Sequence, residues 1–123
     1  MDATVVVVDD DAAARHSLEW LLASCGYRVC GFDSGASCLC GMVKGKRPAC
    51  FILDIHMPGM NGIELHAALK KQYADVAVIF LTAYPSQELA EQARRLRPVG
   101  FFEKPLDIEA LLACLTAVIA PQH

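Results

Sequence analysis

An α/β fold, a doubly wound five-stranded parallel sheet with helices on both faces, is predicted by three features of the chain. Five short apolar runs alternate with five stretches of helical periodicity. The first, third and fourth runs are apolar without polar alternation, as strands covered on both faces are. Most of them end on polar residues, as strands bordering a ligand crevice do.

Thr4 to Val8 is β-branched throughout and reads as a central strand, ending in Asp9-Asp10-Asp11. A first helix is expected from Ala12 to Cys25, with Leu18, Leu21, Leu22 and Cys25 on one face and Gly26 as its stop. Tyr27 to Phe32 reads as the second strand. Asp33 or Ser34 can cap a second, weaker helix to Met42. Gly45 to Pro48 is a loop, and Cys50 to Leu53 is the third strand, delivering Asp54 to its tip before Pro58-Gly59 and Asn61-Gly62 break the chain. Ile63 to Gln72 is the third helix, with Leu65 and Leu69 inward. Val76 to Leu81 is too short for a free helix and reads as a fourth strand ending at Thr82. Pro85-Ser86 opens a helix to Leu96, Val99 to Phe102 is the fifth strand, and Lys104-Pro105 precedes a last helix over 107–119. Leu111, Leu112, Leu115, Val118 and Ile119 form the apolar stripe of that helix.

With 123 residues and 54% hydrophobic content, residues 1–123 read as one domain, able to bury roughly two-thirds of its unfolded surface. A formal net charge of −3 and only two short basic patches, Lys44 to Arg47 and Arg94 to Arg97, argue against direct nucleic-acid binding. The patches read as loop and helix-end charge. No apolar run reaches the roughly 20 residues of a membrane span, and Asp2 is unlike the start of a signal peptide, so a cytoplasmic protein is expected. The six cysteines, Cys25, Cys30, Cys38, Cys40, Cys50 and Cys114, lack metal-ligand spacing and are expected as small buried hydrophobes.

In a parallel doubly wound sheet the carboxyl ends of the strands share one edge. Asp9, Asp10 and Asp11, then Asp54, Thr82 and Lys104 are thereby expected at a common rim. Taken singly, each has an ordinary role as a cap, a solvated acid, a strand-end β-branched residue or a surface lysine. Their coincidence on four strand ends points to chemistry instead. Clustered carboxylates raise one another's pKa or recruit a cation, and oxygen donors favour Mg²⁺. A hydroxyl and an ammonium suit phosphoryl oxygens.

The chain resembles receiver domains of two-component response regulators over nearly its whole length. The resemblance is carried by Val-Val-Asp-Asp-Asp at 7 to 11, Leu-Asp-Ile-His-Met-Pro-Gly-Met-Asn-Gly at 53 to 62, Leu-Thr-Ala-Tyr at 81 to 84 and Phe-Phe-Glu-Lys-Pro at 101 to 105. It implies strand order 2-1-3-4-5 and a phosphoacceptor, Asp54, that takes a phosphoryl group from the phosphohistidine of a sensor kinase. It also implies a Mg²⁺ site, with Mn²⁺ as a substitute, made by Asp10, Asp9, Asp54 and the backbone carbonyl of His56. Thr82 and Lys104 would contact the phosphoryl group, Thr82 and Phe101 would switch, and the Lys104-Pro105 peptide would be cis. Such a protein assists its own phosphorylation and dephosphorylation without being an enzyme in the usual sense. The side chains of His56 and Tyr84 are expected to flank the phosphoryl group and control water access.

Pro85-Ser86 and Phe-Glu-Lys-Pro further resemble FixJ-like transcriptional regulators, implying a homodimer through the fourth helix and fifth strand and a DNA-binding domain beyond Pro121-Gln122-His123. Two alternatives stay open: a stand-alone protein-interaction receiver, and an aspartyl-phosphate phosphohydrolase. The hydrolase is disfavoured because phosphatases of the haloacid-dehalogenase type carry a second Asp two residues after the nucleophile, where this chain has His56. A flavodoxin-like carrier is disfavoured by the lack of a phosphate loop after the first strand.

Overall fold

The computed structural model describes residues 3–42, 47–83 and 87–119. Its elements alternate strictly: β1 (Thr4–Val8), α1 (Ala12–Ser24), β2 (Arg28–Phe32), α2 (Gly35–Gly41), β3 (Cys50–Asp54), α3 (Gly62–Gln72), β4 (Val78–Thr82), α4 (Gln87–Arg95), β5 (Gly100–Glu103) and α5 (Ile108–Val118). All strand pairs are parallel, in the order β2-β1-β3-β4-β5. The order reverses between β1 and β3, where a crevice opens at the carboxyl ends.

The sheet is covered on both faces because successive side chains point to opposite sides. Val6, Val8, Phe51, Leu53 and Phe80 face one layer, packing on Cys38 of α2, Leu65 and Leu69 of α3 and Ala93 of α4. Val5, Val7, Ile52, Ile79 and Leu81 face the other, against Leu18 and Leu22 of α1 and Leu111 and Leu115 of α5. Each buried Val, Leu, Ile or Phe among them contributes about 1.5–3 kcal/mol relative to leaving it exposed. The edge strand β2 is only partly covered.

Several expected boundaries shift. β3 and β4 run one residue further, so Asp54 and Thr82 are the last strand residues, in register with Leu81 and Glu103. Backbone bonding continues past them, from Ile55 N to Leu81 O at 2.9 Å and from Lys104 N to Thr82 O at 2.8 Å. β4 begins at Val78 rather than Val76 because residues 74–75 form a turn. Cys25 caps the C-terminus of α1 instead of lying on its buried face.

The cysteines also divide. Cys38 and Cys50 are buried, and burial pushes both thiols up to about 12. Cys25, Cys30 and Cys40 are exposed, against the expectation of burial, because they sit on a cap, on an outward position of the edge strand and on the outward side of α2. Tyr84, Pro85-Ser86, the terminal Pro121-Gln122-His123 and most of the Lys44 to Arg47 patch lie outside the described residues.

Candidate functional site

Four neighbouring strand ends build the site. Asp9 follows β1 and donates its backbone N–H to Phe32 O of β2 at 3.1 Å. Asp54 closes β3, Thr82 closes β4, and Lys104 follows β5. The loop after β3 is fixed from two sides. Gly59 adopts a positive φ of 76° in the turn after Pro58. Gly62, the first residue of α3, lies so close under Asp54 that an added Cβ would sit 2.5 Å from Asp54 O. Only glycine lets α3 begin there. Its N-terminus is then closed by a capping box, in which Asn61 Oδ1 accepts from Glu64 N at 2.8 Å and Glu64 Oε1 from Asn61 N at 2.9 Å.

Carboxylate oxygens of Asp9, Asp10 and Asp54 all lie within 4.8 Å of one another. Asp9 and Asp54 are 2% and 4% exposed, whereas Asp10 is open to solvent. Lys104 Nζ donates to Asp9 Oδ2 at 2.7 Å and to Asp54 Oδ2 at 3.1 Å. The lysine is thus held between two acids. Asp9 Oδ1 also accepts from Asp11 N at 2.9 Å, and Asp54 Oδ1 from His56 N at 3.0 Å. The Lys104-Pro105 peptide is cis.

The electrostatics follow from this crowding. Burial pushes the Asp54 carboxyl up to about 6, the charge of Asp9 adds to the rise, and Lys104 opposes it. For Lys104, burial disfavours the charged form, but the hydrogen bonds and charges of Asp9 and Asp54 outweigh it and raise its pKa. Three carboxylates against the one ammonium paired with them leave two negative charges, the complement of a divalent cation. The all-oxygen donor set is the kind that Mg²⁺ or Mn²⁺ takes. The residues present therefore fit such an ion.

Thr82 is 1% exposed, and its Oγ1 has no hydrogen-bond partner among the described residues. An unpaired buried hydroxyl is costly, so its position at the end of β4 calls for an explanation. Phe101 is half-buried on β5, with the Arg94 guanidinium of α4 5.0 Å from its ring centroid. Arg94 is therefore more than helix-end charge. Asp11, the third acid of the run, is the N-cap of α1, accepting from Ala13 N and Ala14 N. An apolar groove of about 250 Å³, lined by Leu18, Leu21, Leu106 and Ile108, opens beside Asp9 and Lys104.

Residues 5–116 match the family model described as the response regulator receiver domain. The chain belongs to that family. The receiver is 40% identical over 113 residues to the transcriptional regulatory protein FixJ of Azorhizobium caulinodans, covering 92% of this chain and 53% of that protein. It is 36% identical over 115 residues to FixJ of Bradyrhizobium diazoefficiens, covering 94% of this chain and 56% of the relative. It thus spans about half the length of these curated relatives. Among solved structures, it superposes on the Vibrio cholerae chemotaxis protein CheY4 with a TM-score of 0.85 at 29% identity, covering 97% of this chain and all of the other.

Two side chains of the receiver escaped the sequence reading. Arg15, on α1, donates from Nη1 to Asp9 O at 2.7 Å. His66, on α3, is 6% exposed and stacks edge-on against Phe80, its ring centroid 5.8 Å away. Arg15 lies four residues after the N-cap Asp11, a spacing that returns a side chain toward the acidic loop.

Proposed function

We propose that the receiver takes a phosphoryl group from the phosphohistidine of a sensor histidine kinase onto Asp54, in a reaction that needs a divalent cation, and thereby switches a downstream output. The observation that carries this reading is the convergence of Asp9, Asp10 and Lys104 on the Asp54 carboxylate. An Asp54 oxygen displaces the donor imidazole in line. The P–O bond forms as the P–N bond breaks, and the electron pair leaves with the imidazole. Asp54, Asp9, Asp10 and the His56 carbonyl would hold Mg²⁺ or Mn²⁺, which neutralises phosphoryl oxygens and favours the ionised form of Asp54. Lys104 shifts from its carboxylate partners to the arriving phosphoryl oxygens, and Thr82 Oγ1 donates to one of them. The groove beside Asp9 and Lys104 offers room for the chain that bears the donor histidine.

Movement of Thr82 toward the phosphoryl group leaves space that Phe101 fills from β5, carrying the signal to the α4 and β5 face. Control of transcription is the output supported by the names of the FixJ relatives; a homodimer formed at that face on phosphorylation and a DNA-binding segment would deliver it. Residues 1–123 would act as one receiver in the cytoplasm. Among the described residues no helix is long and apolar enough to cross a membrane. His56 and Tyr84 would tune the lifetime of the phosphorylated form.

Incubation with Mg²⁺ and acetyl phosphate, read by intact mass, tests the central claim. Wild type is expected to gain one phosphoryl group and Asp54→Asn none. Failure of wild type to label, or equal labelling of the variant, sinks the proposal.

A further inference from the structure

Every polar backbone and side-chain group of Asp9 is engaged. Its N–H donates to Phe32 O, Oδ1 accepts from Asp11 N, Oδ2 from Lys104, and its carbonyl from Arg15 Nη1 at 2.7 Å. The last of these bonds has a consequence for the next residue. A carbonyl shares a rigid plane with the following N–H, so holding Asp9 O fixes the peptide that carries Asp10. Asp10 is the exposed member of the acidic cluster. Beyond it, Asp11 is tied into α1 as the N-cap, and the Arg15 backbone N–H donates to Asp11 O at 2.9 Å. Arg15 thus grips the acidic loop at two points, by its backbone at Asp11 and by its guanidinium at Asp9.

From this geometry we infer that Arg15 is a positioning residue for the divalent-cation site, fixing the Asp9–Asp10 peptide so that the Asp10 carboxylate faces Asp9 and Asp54. The inference rests on the reading of that acidic cluster as a cation site. Arg15 is an unexpected residue for this task, because by charge alone a guanidinium beside a cation site repels the ion. Positioning and charge therefore predict opposite signs. Removal of a group that orients a metal ligand weakens metal affinity, commonly by tenfold or more, whereas removal of a repelling charge tightens it.

The test is Mn²⁺ binding by the whole chain, without phosphodonor, followed by electron paramagnetic resonance of the free ion. Arg15→Met and Arg15→Gln, both neutral, are each expected to bind Mn²⁺ about tenfold more weakly than wild type. In labelling with acetyl phosphate, the Mg²⁺ concentration for half-maximal rate should rise by a similar factor while the rate at saturating Mg²⁺ holds. A purely structural defect would lower that rate instead. The glutamine variant provides the comparison if the methionine variant does not fold. Equal or tighter binding by a folded variant, beside normal binding by wild type, overturns the role of Arg15 and leaves the cation site standing. No binding by wild type overturns both.

Discussion

Two sets of groups around Asp54 are built on opposite principles. In the loops that follow β1, β3 and β5 the polar groups are saturated: Lys104 spans Asp9 and Asp54, both acids accept a backbone N–H, and Arg15 holds the Asp9 carbonyl. Toward β4 and α3 lie the buried side-chain atoms without partners among the described residues, Thr82 Oγ1 and His66 Nδ1. Thr82 belongs to β4, and His66 packs on Phe80 two residues before it. The saturated side resists change, since loss of Lys104 strands two buried carboxylates. The unsatisfied side has no hydrogen bond to lose at these two side-chain atoms. A site that must hold charge and also switch needs both, and the receiver separates them.

The largest expected effect breaks the saturated side. Lys104→Met leaves Asp9 and Asp54 facing each other without their cation, and folding stability without metal should fall by about 3 kcal/mol in urea titrations at neutral pH. Phosphoryl labelling by acetyl phosphate should slow by about a hundredfold, because a cationic donor to the transferring oxygens is gone. A loss under about 1 kcal/mol would show that the ammonium does little to offset the two acids.

Thr82→Val sharpens the contrast from the other side. The substitution keeps the shape and removes a hydroxyl that has no partner among the described residues, so stability should stay within about 1 kcal/mol of wild type. Labelling of Asp54 should persist. The shift in elution volume induced by beryllofluoride, a phosphoryl mimic, should shrink several-fold, since the variant cannot follow the phosphoryl group. A destabilisation of 2 kcal/mol or more would reveal a partner for Oγ1 and end the distinction between the two sides.

The same contrast governs what could be read from the residues in order. The parallel sheet and the meeting of Asp9, Asp10, Asp54, Thr82 and Lys104 at one rim were legible, because strand period and right-handed crossovers decide which chain ends share an edge. A cation and phosphoryl site was suggested by the residue types, whereas the strand order and the expected parts of Asp54 as phosphoacceptor and Phe101 as switch came only with the resemblance. Partnerships between elements were not legible. Nothing in the spacing of α4 and β5 says that Arg94 stacks on Phe101, and Arg15 bonds a carbonyl, a group that every residue carries. His66 was passed over beside Leu65 and Leu69, though helix geometry can bury all three. Cys25, Cys30 and Cys40 are exposed against expectation because an apolar residue type does not fix burial at a cap, on an edge strand or on the outward side of a helix.

His66 gives the smallest expected effect and a distinctive pH signature. Burial lowers its pKa from the usual 6.5, and the charge of Lys70 adds to the drop. The folded chain therefore binds this proton less readily than the unfolded chain. Stability contributed by the neutral imidazole is fully present above about pH 6.5 and is lost as pH falls through the lowered folded value. His66→Leu removes both the titration and the unpartnered Nδ1, at the cost of the edge-on contact with Phe80. The variant should be more stable than wild type by about 1 kcal/mol at pH 7.5. Its advantage should widen between pH 6.5 and 5. The Asp54 carboxyl, pushed up to about 6, titrates across the same range, but it is present in both proteins and largely cancels from the difference in thermal midpoints. An advantage that stays flat from pH 8 to 5 would mean that the imidazole protonates as freely in the folded chain as in the unfolded one, and the unsatisfied side of the receiver would then reduce to Thr82.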